Sequence, residues 1–574
     1  MSDFSFEIRR KDVMGRIGRL EVNGKNIETP ALMPVVNPNK QVIGVKELAE
    51  KFDTRVLMTN SYMLLKNPQV RKEVEGRGIH DFLGFDGIIA TDSGSYQLMV
   101  YGAVETTNKE IIEFQEKIGS DIGSFLDIPT LPDAYKPRAQ EQLEETLKRS
   151  EDALNAKFAV NAAVQGGKYV DLRKHAAQTI GSRFPLVAIG GIVPLMENYR
   201  FHELVDVIAT VKQNIPSDRV VHAFGLGHPM AFSLAVALGA DLFDSAAYVL
   251  YAQSGRYMTP YGTETLEELE YLTCACPACS KHGIRMKSLY GDDKVKALAE
   301  HNLYVSLNEI AKIKQAIIDG KLWDLIITQA RSHPKLLAGL HAMLNHSEWI
   351  AKFDPITKKS AFYDVGVESE RRSEVVNVKE RVMRVKSENL VEVKPFGMVP
   401  AEIKDIYPLG CATGYAQDED EFVYKTRDIT KVRALADYQF GEGAGELIPD
   451  SARIRRSKTT NRIRWIHVGK EMIASVRAQD HFIIPHDWFA LKLKAKFPSP
   501  KLRVVLEDDE EVTKCVKEGK SVFCKFVKDV DSDLRCGDEC IVVDGKDNLL
   551  RTGTLALSPT EIKDFRRGVA VRVR

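Results

Sequence analysis

Three aspartates stand where apolar runs stop: Asp92 in "GIIATDSGSYQLM", Asp127 in "SFLDIP" and Asp244 in "ADLFDSAAY". A strand-like run that ends on a carboxylate delivers it to the end of a sheet, where it can meet a ligand. Gln165 in "VQGG", Gly190 and Gly191 in "IGGIV", and Gly225 in "FGLG" end further runs in the same manner. Singly, such residues read as loop-capping Asp and turn Gly. Together, at equivalent places in successive units, they favour one pocket rich in carboxylates, the groups that move protons or carry a covalent intermediate.

A second constellation is "TCACPACSKHGI", which puts Cys274, Cys276 and Cys279 in one tight loop. Three thiolates this close suit a tetrahedral zinc. The fourth ligand is His282 in the same loop or His301 in "ALAEHNLYVSL", on what reads as the next helix. His301 is preferred, because a distant ligand clips the loop to the helix. A redox role for Cys276 and Cys279 is weaker, since their C-x-x-C lacks a thioredoxin-like βαβ context. A closed Cys3His set leaves no open coordination position, so the reading is one structural zinc.

These residues need a scaffold, and the chain has room for several. Its 574 residues predict three or four domains, with 44% hydrophobic and 28% charged residues in the range of folded protein. The formal net charge is zero, so any nucleic-acid site must be a local patch. The polar start "MSDFSFEIRRKDVMGRIG" lacks the apolar core of a signal peptide, and no run reaches a membrane span. The expected location is the cytoplasm, with no membrane partner.

Short apolar runs ("VLMTNS", "GIIATDSG", "IGSFLDIP", "FAVNAAVQGG", "PLVAIGGIV", "RVVHAFGLG", "ADLFDSAAY") alternate with helix-like stretches such as "PRAQEQLEETLKRSEDALNAK". Units of this size fit an α/β fold, a (β/α)8 TIM barrel with function at the C-terminal strand ends. The expected divisions are a barrel over 1–350 with its zinc segment at about 272–305, α+β domains over 351–430 and 431–500, and a β-rich module over 501–574. The charge-rich stretch 351–376 reads as a boundary. Asp241, three residues before Asp244, reads as a cap or salt bridge at the strand start.

The residues "DSGSYQ" (92–97), "VQGG" (164–167), "IGGIV" (189–193), "FGLG" (224–227) and "FDSA" (243–246), with the C-x-C-x-x-C…H pattern, resemble those of the tRNA-guanine transglycosylases over about residues 5–350. These enzymes exchange an encoded guanine for a 7-deazaguanine base without breaking the RNA backbone. The resemblance implies Asp244 as nucleophile and Asp92 as general acid/base, a role that requires a raised Asp92 pKa. Two carboxylates suit the chemistry, because one traps an oxocarbenium-like carbon while the other passes the proton. The resemblance further implies that Asp127, Gln165 and the backbone N–H groups near Gly191 and Ile192 read the base, with Ser93 at the pocket. Tyr96 and Phe224 would sandwich the ring, although for Phe224 a place in the core is an equal alternative.

Where bacterial members that take an aminomethyl base carry a Gly-Glu pair, this chain reads "VPLME" (193–197). That departure fits the archaeal branch and its nitrile base preQ0, 7-cyano-7-deazaguanine. The C-terminus resembles a PUA domain, an RNA-binding fold, through "CGDECIVVD", "TGTLALS" and "GVAVRVR". Cys515, Cys524, Cys536 and Cys540 lack C-x-x-C spacing and read as small buried residues. "RIRRSKTTNRIRW" collects Arg453, Arg455, Arg456, Lys458, Arg462 and Arg464 without an acid, which is either a phosphate-binding patch or a solvated strand face. The family resemblance suggests a homodimer, and the C-terminal extension with its PUA-like module points, by fold-level analogy, to the D-loop guanine of tRNA. Alternatives are anticodon exchange, a non-exchanging paralogue and an unrelated zinc-dependent hydrolase.

Overall fold

The computed structural model describes residues 3–95, 106–414 and 426–574. Three antiparallel strands come first, β1 (Phe4–Asp12), β2 (Gly15–Val22) and β3 (Lys25–Glu28). Eight strands follow: β4 (Ala31–Val36), β5 (Val56–Asn60), β6 (Ile88–Asp92), β7 (Ile122–Gly123), β8 (Ala159–Val164), β9 (Leu186–Ile189), β10 (Val220–Ala223) and β11 (Leu242–Ser245). They form a closed barrel in chain order, β11 returning to β4, with every adjacent pair parallel. Helices cross over between strands, and β5, β8 and β9 are buried throughout, as strands covered on both faces must be. The first barrel strand, "ALMPVV", is absent from the apolar runs read above. Pro34 inside it argues against a strand by sequence, yet Pro34 sits in register with Ser245.

The helix Asn108–Ile118 illustrates how a crossover is specified. Thr107 and Glu110 form a reciprocal cap at its start, and Ile111, Ile112, Phe114 and Ile118 bury one face. Its Gln115 accepts from Thr91 of β6 at 2.7 Å and donates to the Ser124 carbonyl, also at 2.7 Å, so the helix is keyed to two barrel elements.

At the N-terminal end of the barrel, Arg16 of β2 donates to the Ser217 carbonyl at 2.6 Å and to Asp241 Oδ1 at 3.0 Å. Asp241 Oδ2 also accepts from the Val221 N–H at 2.8 Å. Asp241 is therefore the salt-bridging residue that its place before the strand implies.

The chain divides into two compact units, Met1–Ile318 with Leu325–Met343, and Asp319–Asp324 with Leu344–Arg574. The stretch 351–376 lies within the second unit, and several of its charges are core residues. Lys358 Nζ sits 2.9 Å from Asp354 and 3.2 Å from Glu374, while Arg372 reaches Glu374 at 2.6 Å and Asp324 at 2.8 Å. Burial opposes ionisation of Glu374, but Arg372 and Lys358 outweigh it and hold the carboxyl at about 2. The charge-rich run that reads as a boundary thus has several of its members paired inside the second unit. The second unit also holds a four-stranded antiparallel sheet over 453–485 and a six-stranded sheet over 503–573. No helix among the described residues is long and apolar enough to cross a membrane.

Candidate active site and metal centre

Asp244 is the third residue of β11, and its carboxylate is held from one side. Oδ1 accepts from His222 Nε2 at 2.9 Å and from the Gly225 N–H at 2.5 Å. His222, on the adjacent strand β10, is fully buried, and its Nδ1 lies 3.2 Å from the Asn161 amide on β8. With Asn161 assigned so that Oδ1 faces the ring, Nδ2 has no partner. Turning the amide lets Nδ2 donate to His222 Nδ1, which places the imidazole proton on Nε2, facing Asp244. Gly225 is required here: its φ is +79°, and a Cβ would lie 2.4 Å from Val193 Cγ2. The arrangement leaves Asp244 Oδ2 as the oxygen available to a ligand.

Asp92 closes β6. Asn60, the last residue of β5, donates from Nδ2 to Asp92 Oδ2 at 3.0 Å, while its Oδ1 caps the next helix at the Met63 N–H, 2.9 Å away. Ser61 Oγ holds the Asp92 carbonyl at 2.7 Å. Burial raises the Asp92 carboxyl, and the charges of Asp127 and Asp244 raise it further. Donation from the Gly94 and Ser93 N–H groups only partly offsets them, and the group is raised to about 7. A carboxyl there is ready both to give and to take a proton at neutral pH.

Asp127 follows β7, and burial raises its carboxyl against the hydrogen bonds from Ser95 and Gln165. Gln165 Nε2 donates to Asp127 Oδ2 at 2.7 Å, and its Oε1 accepts from the Thr130 N–H at 3.2 Å. Asp92, Asp127, Gln165, Gly191, Phe224 and Asp244 line one cavity of about 530 Å³. Phe224 is half-buried on that wall, its ring 5.0 Å from that of His222, rather than in the core. Ser93 is not on the wall: it is fully buried and bonded to Ser95 at 2.9 Å, and Ser95 is the serine that lines the cavity. The Ile192 side chain is likewise buried, with Gly191 and Val193 forming the wall beside it. Tyr96 lies outside the described residues.

The donor atoms of Cys274, Cys276, Cys279 and His301 lie within 4.8 Å of one another. His301 Nδ1 is 3.2 Å from Cys279 Sγ, and Nε2 lies 2.9 Å from the Met258 carbonyl, to which it must donate. Nδ1 is thereby the free ligand atom, oriented by an outer hydrogen bond as metal-bound histidines are. The Tyr257 ring stacks on the imidazole at 3.6 Å. Three thiols and one imidazole are the donor set of a closed metal site, and His282 is not among them.

In the second unit, Arg453–Arg456 pairs antiparallel with Ile463–Val468, which puts Arg453 opposite His467 and Arg455 opposite Trp465. All six basic residues except the half-buried Arg464 are exposed. Arg456 is bound to Asp428 through Nε at 2.8 Å, an acid that the local sequence does not reveal. Cys524, Cys536 and Cys540 are buried and Cys515 is partly so.

The residues that sequence reasoning missed are His222, Asn161, Asn60 and Ser95. Two of them left a signal, because His222 in "VVHA" and Asn161 in "AVNAAV" are lone polar residues in strands otherwise apolar and buried.

Fold and site together define a (β/α)8 barrel that gathers carboxylates around one cavity at its C-terminal strand ends. A family model described as "Queuine tRNA-ribosyltransferase" matches residues 12–335, one described as "Patch-forming domain C2 of tRNA-guanine transglycosylase" matches 430–500, and a PUA domain model matches 504–574. The chain is similar to a tRNA-guanine(15) transglycosylase of Thermococcus kodakarensis, at 45% identity over 100% of this chain and 99% of the relative. It is also similar to proteins of the same name from Pyrococcus abyssi (46% identity, covering 99% and 97%) and Methanocaldococcus jannaschii (40%, covering 99% and 99%). The chain belongs to the tRNA-guanine transglycosylase family, a family of transferases, and carries a C-terminal PUA domain.

Proposed function

We propose that this protein exchanges the guanine at position 15, in the D-loop of tRNA, for preQ0 through a covalent ribosyl-aspartate intermediate. The observation that carries the reading is the gathering of Asp92, Asp127 and Asp244 around one cavity, with Asp92 raised to about 7 by burial and by the other two. Full-length relatives named tRNA-guanine(15) transglycosylase support the position.

In this reading Asp244 Oδ2 attacks the ribose C1′ while the C1′–N9 bond breaks and its electron pair goes to the base. The Asp92 acid gives its proton to the departing guanine, which leaves neutral. The Asp92 carboxylate then takes the N9 proton of the incoming base, whose nitrogen attacks C1′ and displaces Asp244, with net retention. His222 Nε2–H and the Gly225 N–H remain on Oδ1 throughout. Asp127 and Gln165 hold the edge of the base, and Phe224 covers its face. Val193 and Pro194 line the cavity in place of the bacterial Gly-Glu pair, which supports a nitrile base; the carboxylate of this segment, Glu197, is an exposed residue of the same lining.

Cys274, Cys276, Cys279 and His301 would hold one zinc ion, which ties the loop to the helix Gly291–Asp319 and takes no part in the reaction. Arg453, Arg455, Lys458, Arg462 and, less directly, Arg456 and Arg464 contact tRNA phosphates in this reading. Exposed Tyr271 and Tyr290, which flank the cysteine loop, support a homodimer. The location is the cytoplasm, where tRNA is processed.

The test is incorporation of labelled guanine into an unmodified tRNA transcript, chased with preQ0 and mapped by nuclease digestion. Label confined to the D-loop and displaced by preQ0 is expected. Label in the anticodon loop would overturn the positional claim, and tight tRNA binding without label would mark a non-exchanging paralogue.

A further inference from the structure

Among the described residues, buried arginines come with carboxylates, save one. Six arginines are buried among the described residues. Five pair with an acid: Arg16 with Asp241, Arg372 with Glu374, Arg381 with Asp538, Arg503 with Asp547 and Arg535 with Glu380. Arg173 is the sixth, 1% exposed, with no ion pair to any described residue. An isolated buried cation opposes folding, because its lost hydration is not replaced.

Its hydrogen bonds account for only part of the fork. From the helix Val170–Arg183, Nε donates to the Gly167 carbonyl at 2.8 Å and Nη1 to the Val164 carbonyl at 2.7 Å. These bonds fix the end of β8 to the turn after it. Nη2 has no partner. It lies 3.5 Å from the point where a Cβ on Gly191 would sit, and Gly191, at φ +70°, forms the cavity wall. The cation therefore stands close to Gly191, and the cavity that this glycine lines also carries the carboxylates of Asp92, Asp127 and Asp244. Burial alone lowers the guanidinium to about 9, so it stays protonated at neutral pH.

The reaction proposed above needs positive potential at this wall. As the C1′–N9 bond breaks, its electron pair spreads over the purine ring toward the carbonyl oxygen before Asp92 delivers its proton. Asp127 and Asp244 oppose that charge. The Val164 carbonyl that accepts from Nη1 also accepts from the Gly190 N–H at 3.1 Å, which ties the guanidinium to the Gly190–Gly191 turn. We propose that Arg173 is a positioning residue for base exchange: tied to that turn through Val164, it holds the turn toward the purine carbonyl, and its cation stabilises the negative charge that builds on the departing and incoming bases. The inference rests on the base-exchange reading, and a wild-type protein that incorporates no guanine would overturn that reading separately.

The experiment compares full-length wild type with Arg173→Lys and Arg173→Met in labelled-guanine exchange, with melting temperature read alongside. Arg173→Met should lower kcat about 100-fold, the order of losing one preorganised electrostatic donor, while KM for tRNA and for guanine changes less than about 3-fold. Arg173→Lys keeps the charge without the fork and should recover at least about tenfold over the methionine variant. A purely structural tie predicts the opposite pattern: a lysine variant no better than the methionine one, raised KM, and activity lost in proportion to melting temperature. Any of these results, or a methionine variant that does not fold while the lysine variant remains inactive, would overturn the proposal.

Discussion

Asp241 and Asp244 are three residues apart at opposite ends of one barrel strand, and their surroundings differ in kind. Asp241 faces the Arg16 guanidinium and the Val221 N–H, so its charge is matched by a buried cation at the closed end of the barrel. Asp244 meets His222 and a backbone N–H on one oxygen only, and it lines a cavity with Asp92, Asp127 and the exposed Glu197. The closed end neutralises its charge and the open end accumulates it. In the proposed reaction, stability and chemistry are thereby separated along about four residues of β11, as strand ends in such barrels allow.

Substitutions at the two ends should split accordingly. Asp244→Ala should lower exchange by about 10⁴-fold or more, the scale of losing a nucleophile, with tRNA affinity within about 3-fold by filter binding. Asp92→Asn should slow exchange by roughly 10³-fold, since an amide cannot pass the proton. It should also change the pH dependence of stability. The folded Asp92 carboxyl is raised to about 7, above its unfolded value, so the folded state holds the proton longer and wild-type stability falls as pH rises from about 4 to 7. Asp92→Asn removes that fall, and denaturant titration at pH 8 should find it more stable by about 2 kcal/mol, allowing for solvent in the cavity.

Asp241→Ala leaves Arg16 buried and unpaired, and should cost about 3–5 kcal/mol in denaturant midpoint, while the folded fraction retains exchange. Equal loss of activity in Asp241→Ala and Asp244→Ala at temperatures where both are folded would erase the contrast. A finer cut is His222→Phe, which removes one of two donors on Asp244 Oδ1 and should lower kcat about 10- to 100-fold, with little effect on KM.

Much of this division was legible in the sequence because barrel strands place their last residues at one mouth. Asp92, Asp127, Gln165 and Asp244 could be found by asking where apolar runs end, and Asp241 by its place at a strand start. What stayed hidden was whatever depends on a neighbour remote in sequence. Nothing near Asp244 announces that His222 and Asn161 lie beside it, and nothing in "RIRRSKTTNRIRW" announces that Asp428 takes up Arg456. The strand Ala31–Val36 was masked by Pro34, and the buried ion network around Glu374 by the ordinary meaning of a charged run. Arg173 could not be told from a surface arginine on an amphipathic helix, since its isolation is a property of packing.

The smallest expected effect falls in the second unit. With Arg456 already paired to Asp428, Arg453 and Arg455 are the strand arginines left, beside Lys458 and Arg462, to meet phosphate. Reversing both to Glu should weaken tRNA binding about tenfold and reduce the slope of log affinity against log salt by about 2, with exchange at saturating tRNA preserved. Unchanged affinity would remove that face from the account.

The central claim is that Asp244, and not another carboxylate of the cavity, carries the ribose. The direct measurement is denaturing electrophoresis of protein incubated with labelled tRNA and quenched during turnover, followed by mass spectrometry of the cross-linked peptide. An RNA–protein adduct that maps to Asp244, persists in Asp241→Asn and vanishes in Asp244→Ala is expected. An adduct that survives in Asp244→Ala, or that maps to Asp92 or Asp127, would contradict it.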